Sequence, residues 1–279
     1  MSPATAIAAA FLTLLAPSHY RLIGHQTYAV QDRGQADVYL PREVHAGAPM
    51  VVFFYGGSWD SGDRAFYRFV GASLASSGIV TVIPDYRLYP QARYPQFLQD
   101  NALAVRWARE HAQEWGADPS RMVLMGHSAG AYNAVMLGLD SRWLAEVGLD
   151  ANRDIAGVVG LAGPYDFLPL ETDELNAIFG PIEGQPATQP INHVDGHGPP
   201  LLLLHGGVDT VVLPRNSTRL AEAVTAAGGN ARLIIYPRLG HSEQLGVLLP
   251  QRRGGTNAFG DMIAFIRQAA TPRRVDQAA

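Results

Sequence analysis

Short uninterrupted apolar runs alternate along this chain with stretches in which apolar residues recur every three or four positions. Met50 to Tyr55 (MVVFFY) is the clearest run, and it stops abruptly at Gly56 and Gly57. A strand that is apolar on both faces belongs in the middle of a parallel sheet. Ile79 to Ile83, Arg121 to Met125, Ile155 to Leu161, Leu201 to Leu204 and Arg232 to Tyr236 predict further strands. Gln26 to Val30 and Gln35 to Leu40 predict a strand pair about the turn residues Asp32, Arg33 and Gly34. Helical spacing marks Phe66 to Ser76 (Phe66, Phe69, Val70, Leu74) and Phe97 to Trp115 (Leu98, Ala102, Val105, Trp107, Ala108). Ala129 to Leu139, Leu220 to Ala227 and Asn257 to Ala269 predict the remaining helices. Strand and helix in strict alternation imply an α/β fold, with a mostly parallel sheet covered by helices on both faces.

Three segments depart from that rhythm. Gly163 to Pro200 is rich in Pro and Gly yet carries Tyr165, Phe167, Leu168, Leu170, Ile178 and Phe179, which suits a small cap or specificity loop better than a linker. Ala6 to Ala16 is an apolar run too short to span a bilayer, and no basic residue precedes Arg21. It reads as a helix packed on the domain, which places the protein in the cytoplasm. Export is the alternative if residues 6–16 act as a signal h-region. The expected organisation is an N-terminal segment over residues 1–24, a single domain over 25–270, and a loose tail over 271–279.

Composition narrows the chemistry. The chain has 279 residues and a formal net charge of −4, with 47% hydrophobic and 16% charged residues, enough apolar material for a large core. It contains no cysteine, and its 21 basic residues are all arginine. Thiolate nucleophiles, Cys-ligated metals, Schiff-base lysines and a phosphate-cradling P-loop lysine are therefore excluded. The acidic balance argues against nucleic acid as a partner. No stable membrane insertion is expected, and a homodimer is left open.

Gly126-His127-Ser128-Ala129-Gly130 lies between a predicted strand and a predicted helix. A Gly-x-Ser-x-Gly turn in that position presents its serine as a nucleophile, because small flanking residues permit the sharp bend. The bland reading of Ser128 is an ordinary helix N-cap. A serine nucleophile needs a base, and the base needs an acid to orient it. Of the histidines that follow, His193 and His197 lie in the Pro/Gly-rich loop, and His205 ends an apolar strand, where a structural role is expected. His241, between the last strand and the final helix, is the best base. Asp209 follows a strand and two glycines (LLLLHGGVD), at the carboxyl edge where ligand sites form in open α/β sheets. It is favoured as the acid over Asp166 and Asp195, whose bland reading is a loop cap or Asx turn. The glycines of Tyr55-Gly56-Gly57-Ser58-Trp59 would let backbone N–H groups approach a developing oxyanion.

Taken together, YGGSW, the Asp85-Tyr86-Arg87-Leu88 run, GHSAG, LLLLHGGVD and the loop around His241 resemble the α/β-hydrolase esterase and lipase family, in its group of hormone-sensitive-lipase-like carboxylesterases and arylformamidases. The resemblance spans most of Met50 to His241. It implies the α/β-hydrolase fold, Ser128 as nucleophile, Asp209 as acid, His241 as base, and the N–H groups of Gly57, Ser58 and Ala129 as an oxyanion hole. It implies no cofactor and no metal. The family pattern usually has a His and further glycines where this chain has Tyr55 and Ser58. Asp85, Tyr86 and Arg87 are expected to position the oxyanion loop, and Asp100 to be a helix-start or surface charge. Trp59, Tyr86, Tyr165 and Phe179 are candidate pocket aromatics. The implied activity is hydrolysis of short-chain or aryl carboxylic esters through an acyl-enzyme, with a small-molecule ester as the partner. An arylformamidase or amidase with the same machinery is the alternative. A non-catalytic small-molecule-binding protein on this fold is the rival from another class.

Overall fold

A computed structural model describes residues 15–253 and 255–271. Most of the apolar run over residues 6–16 and nearly all of the 271–279 tail thus lie outside the described residues. Eight strands form one sheet in the order β1-β2-β4-β3-β5-β6-β7-β8. They are β1 (Tyr20–Thr27), β2 (Gln35–Pro41), β3 (Ala48–Phe54), β4 (Val80–Pro84), β5 (Ala117–His127), β6 (Gly157–Leu161), β7 (Leu201–Gly206) and β8 (Ala231–Tyr236). β1 and β2 enter antiparallel, and every pairing from β4 across to β8 is parallel. The longer helices are α1 (Arg68–Ala75), α2 (Gln96–His111), α3 (Ala129–Leu139), α7 (Arg215–Ala226) and α9 (Ala258–Ala269). Between them lie α4 (Ser141–Ala145), α5 (Ala151–Asp154), α6 (Asp173–Phe179) and α8 (His241–Gly246). None of the described helices is long and apolar enough to cross a membrane. This is the α/β-hydrolase fold.

Consecutive residues of β6 show that both faces of the sheet are covered. A Cβ on Gly157 would meet Phe265 and Ala269 of α9, whereas Val158 packs toward Gly138 of α3. Neighbouring strand residues point to opposite faces, so the two helices lie on opposite sides. That is why β3 reads as an unbroken apolar run: Met50 to Phe54 are all fully buried.

Several elements differ from the sequence reading. The first strand runs Tyr20–Thr27 rather than Gln26 to Val30, and Val30 is wholly exposed. Tyr28 and Ala29 both donate to Gly34 O, so residues 28–34 are spent on a wide turn. The helix predicted over Phe97 to Trp115 is α2 followed by a 3₁₀ turn over Ala112–Trp115, ended by Gly116 at φ 75°. The helix predicted from Leu220 begins at Arg215, directly after Pro214.

The segment from Gly163 to Pro200 is ordered and lies against the domain. It contains α6, whose N-cap Thr172 accepts from Leu175 N–H, and 3₁₀ turns at Ile182–Thr188 and Pro190–His193. Side chains from outside the segment pin it down. Asn216 Oδ1 accepts from the N–H groups of Tyr165 and Asp166, and Tyr132 donates to Thr188 O.

Candidate active site

Ser128 stands where β5 gives way to α3, at φ 54° and ψ −124°. A non-glycine residue in such a conformation costs about 1–3 kcal/mol and persists only where the surroundings enforce it. Here they do. Ser128 N–H donates to Leu161 O on β6, and Ser128 O accepts from Ala131 and Tyr132. The flanking glycines are dictated by space: a Cβ on Gly126 would lie 2.1 Å from Gly130 O, and one on Gly130 would lie 2.0 Å from Phe54 O. The N-cap reading of Ser128 fails, because its side chain makes no capping bond. Ser128 instead lines a cavity of about 360 Å³.

His241 opens α8, and its Nδ1 lies 2.8 Å from Asp209 Oδ2. A carboxylate accepts and Nδ1 donates, so in the neutral ring it is Nε2 that keeps its lone pair. Asp209 is buried, and its Oδ1 accepts from the N–H groups of Val211 and Val212 at 2.9 Å each. The rival acids are engaged elsewhere. Asp166 pairs with Arg219, and Asp195 caps the N–H of His197 in the Asx manner. His193 lies against Ala187 O and Asp140, and His197 is exposed.

Fully buried His205 has the structural role expected of it. Its Nε2 donates to Val212 O at 2.8 Å, which leaves Nδ1 to accept from Ser217 at 2.7 Å. The same Nε2 is 3.4 Å from Asp209 Oδ2, so this ring braces the loop that carries Asp209. Burial pushes its pKa down.

The loop after β3 passes close to Ser128. A Cβ on Gly56 would lie 2.9 Å from Ser128 Cβ, so only glycine allows this approach. Gly57, Ser58 and Trp59 all have positive φ, and Gly57 O accepts from the N–H groups of Asp60 and Ser61. Among the described residues, the N–H groups of Gly57, Ser58 and Ala129 meet no protein acceptor. Ser58 and Ala129 line the same cavity as Ser128.

Beneath that loop, Tyr55 donates to Asp85 Oδ1 at 2.7 Å and accepts from Arg33 Nη2 at 2.7 Å. Tyr86 donates to Tyr55 O at 2.7 Å, and Arg64 pairs with both Asp85 and Asp37. Asp85 and Tyr86 thus hold the loop from below, whereas Arg87, expected to act with them, pairs with Asp100 instead. Tyr55 fills the place of the family's usual histidine and ties the loop to this ion-pair network. Tyr55→Phe removes a buried hydroxyl with partners on two sides. It is expected to lower unfolding free energy by about 1–3 kcal/mol in urea titrations; an unchanged midpoint would show that the network does not hold the loop.

Two expectations are corrected. Asp100 is not a surface charge: it is 1% exposed, and its carboxylate grips Arg87 in a bidentate pair while accepting from Gln31. Burial of a carboxylate requires such a partner. Of the four candidate pocket aromatics, only Trp59 lines the cavity. Tyr86 and Tyr165 are fully buried in the core, and Phe179 packs edge-on behind Trp59 at 4.8 Å. The lining comes instead from Phe167, Leu168 and Leu175 of the 163–200 segment and from Val211, Val212 and Leu213 after Asp209.

The sequence reading also passed over His127. This residue sits inside the Gly-x-Ser-x-Gly turn, and its ring lies 4.8 Å from that of His241.

With this geometry in place, relatives can be compared. The family model BD-FAE matches residues 36–224, well over half of the chain. The chain belongs to the BD-FAE family. The matched stretch includes Ser128 and Asp209, whereas His241 follows it. A probable isoprenylcysteine α-carbonyl methylesterase of Arabidopsis thaliana is 28% identical over 90% of this chain and 57% of its own length. The esterase LipC of Mycobacterium tuberculosis is 29% identical over 71% of this chain and 54% of its own. The chain thus spans a little over half the length of these relatives. Among solved structures, a truncated carbohydrate esterase from gut microbiota superposes with a TM-score of 0.79 at 24% identity, covering 92% of this chain and all of that one. Esterase B of Lactobacillus rhamnosis superposes with a TM-score of 0.79 at 20% identity, covering 96% of this chain and 93% of that one. These likenesses establish the fold.

Proposed function

We propose that this BD-FAE family member is a serine hydrolase of short-chain or aryl carboxylic esters, working through Ser128, His241 and Asp209. The observation that carries the reading is an uncapped serine, held at φ 54° on the wall of a cavity, in a fold that also joins His241 to Asp209 at 2.8 Å. In this reading His241 Nε2 removes the Ser128 proton as Oγ attacks the ester carbonyl. The negative oxygen is met by two or more of the N–H groups of Gly57, Ser58 and Ala129, and each such donor is worth about 3 kcal/mol. The imidazolium, stabilised by Asp209, then gives its proton to the leaving alcohol. Water, activated by the same base, releases the acid from the acyl-enzyme.

The cavity favours small substrates. Its volume of about 360 Å³ and its walls of Trp59, Phe167, Leu168 and Leu175 suit an aryl or short acyl group. The relatives named as esterases support the reaction class.

Hydrolysis of p-nitrophenyl esters with two to sixteen acyl carbons is expected to peak at short chains. A fluorophosphonate probe should add one mass increment, on the peptide containing Ser128. Absence of both turnover and labelling would overturn the reading, and turnover of N-formylkynurenine without ester turnover would move it to the formamidase.

A further inference from the structure

His127 lies between the two groups whose relative position matters most. It is buried, and it immediately precedes Ser128. Its Nε2 is 3.0 Å from the backbone carbonyl oxygen of His241, a residue 114 positions away in sequence. A carbonyl can only accept, so His127 must be the Nε2–H tautomer and the donor. Burial, with His241 nearby, pushes its pKa down to about 4, so it holds that neutral form in neutral solution.

His241 is therefore held at two points. Asp209 fixes Nδ1 of its ring, and His127 fixes its own peptide carbonyl. The first bond fixes the tautomer and one end of the ring, but leaves the ring free to swing with the loop after β8. The second anchors that loop to the residue adjoining the nucleophile. We propose that His127 is a positioning residue, which sets the distance and angle between the base and Ser128 by hydrogen-bonding the main chain of His241. This rests on the reading of His241 as the base.

A second cavity makes the idea testable. It has a volume of about 320 Å³ and is lined by His127 together with Phe66, Tyr67, Ser242, Glu243 and Leu249. Truncating His127 would extend this cavity toward the carbonyl of His241, giving free imidazole a route to the vacated donor site.

His127→Ala is expected to lower kcat for a p-nitrophenyl ester about 100-fold, the scale of a misplaced catalytic group, with KM changed less than twofold. His127→Gln, whose Nε2 can reach the same carbonyl, should recover most of the loss. Added imidazole should restore His127→Ala saturably, and should leave the wild type unchanged. A kcat within twofold of wild type in His127→Ala overturns the proposal. So does a loss that neither glutamine nor imidazole reverses, because that pattern belongs to packing alone.

One further readout is independent of turnover. The Nδ1–H proton of His241, bonded to Asp209, is observable as a downfield proton NMR signal. It should broaden by exchange in His127→Ala and sharpen again with imidazole. If the wild type hydrolyses no ester, the proposed function fails on that result, and this signal still judges His127. An unaltered signal in His127→Ala overturns the positioning role.

Discussion

Replacing Ser128 by alanine is expected to reduce kcat for ester hydrolysis by about a million-fold while leaving the fold intact. The two halves of that expectation come from different observations. Ser128 Oγ has no hydrogen-bond partner among the described residues, so alanine orphans no buried group. Both residues bear a Cβ, so φ 54° strains each alike. Thermal midpoints of the two proteins should therefore agree closely. What alanine removes is the atom that bonds to the acyl carbon. The oxyanion donors and cavity remain, and such remnants typically retain about a thousand-fold acceleration over water. Turnover above one per cent of wild type, after exclusion of contaminating esterase by active-site titration, would mean that another residue is the nucleophile.

Asp209→Asn should lower kcat by about 10⁴ through a change of tautomer rather than a change of shape. The orientation of the new amide is dictated by its neighbours. Oδ1 accepts two backbone N–H groups, from Val211 and Val212, so the asparagine oxygen must take that place. Its NH₂ then faces His241 Nδ1, where Asp209 Oδ2 accepted before. Two donors cannot share a hydrogen bond, so the imidazole must move its proton to Nε2. The lone pair that should receive the Ser128 proton is then absent. His205 Nε2–H, 3.4 Å from the same atom, adds a second donor against the amide. The loss should appear in kcat, with little change in KM. A variant that keeps more than a tenth of wild-type kcat would show that Asp209 does not set the tautomer of His241.

Much of this arrangement was legible in the chain because it rests on local rules. A six-residue apolar run, mostly β-branched and aromatic, that stops at two glycines reads as a strand buried on both faces, so MVVFFY announced the centre of the sheet. Gly126 and Gly130 flank Ser128 because their missing side chains would strike the Gly130 and Phe54 carbonyls, and the spacing alone betrays such a bend. Asp209 and His241 were found by their places after strands.

What escaped depends on long-range packing. Whether Tyr165 or Phe167 faces the cavity is decided by how the 163–200 segment lies on the sheet, and apolarity is the same in either case. Asp100 looks like any polar residue of an amphipathic helix until Arg87 meets it from a loop 13 residues earlier. Other misses had local signals. Thr172, with Asp173 and Glu174 after it and Gly180 at the end, spelled out α6 within a stretch read as irregular. His127 stood at a motif position treated as free to vary, and only the fold shows that it reaches His241.

The sheet order bears on when and how this protein would be armed. Ser128 and its surrounding loops lie at the interior strands β3 and β5, whereas His241 arrives on the loop after β8, a strand that pairs on one side only and has no fully buried residue. In the proposed reading, a chain emerging from synthesis carries Ser128 out well before His241, and it would gain its base only when β8 docks. On warming the order reverses. Edge strands with little burial open at lower free-energy cost than the core, so His241 would be released while Ser128 and the loop after β3 are still held, and the proposed activity would depend on the completed edge.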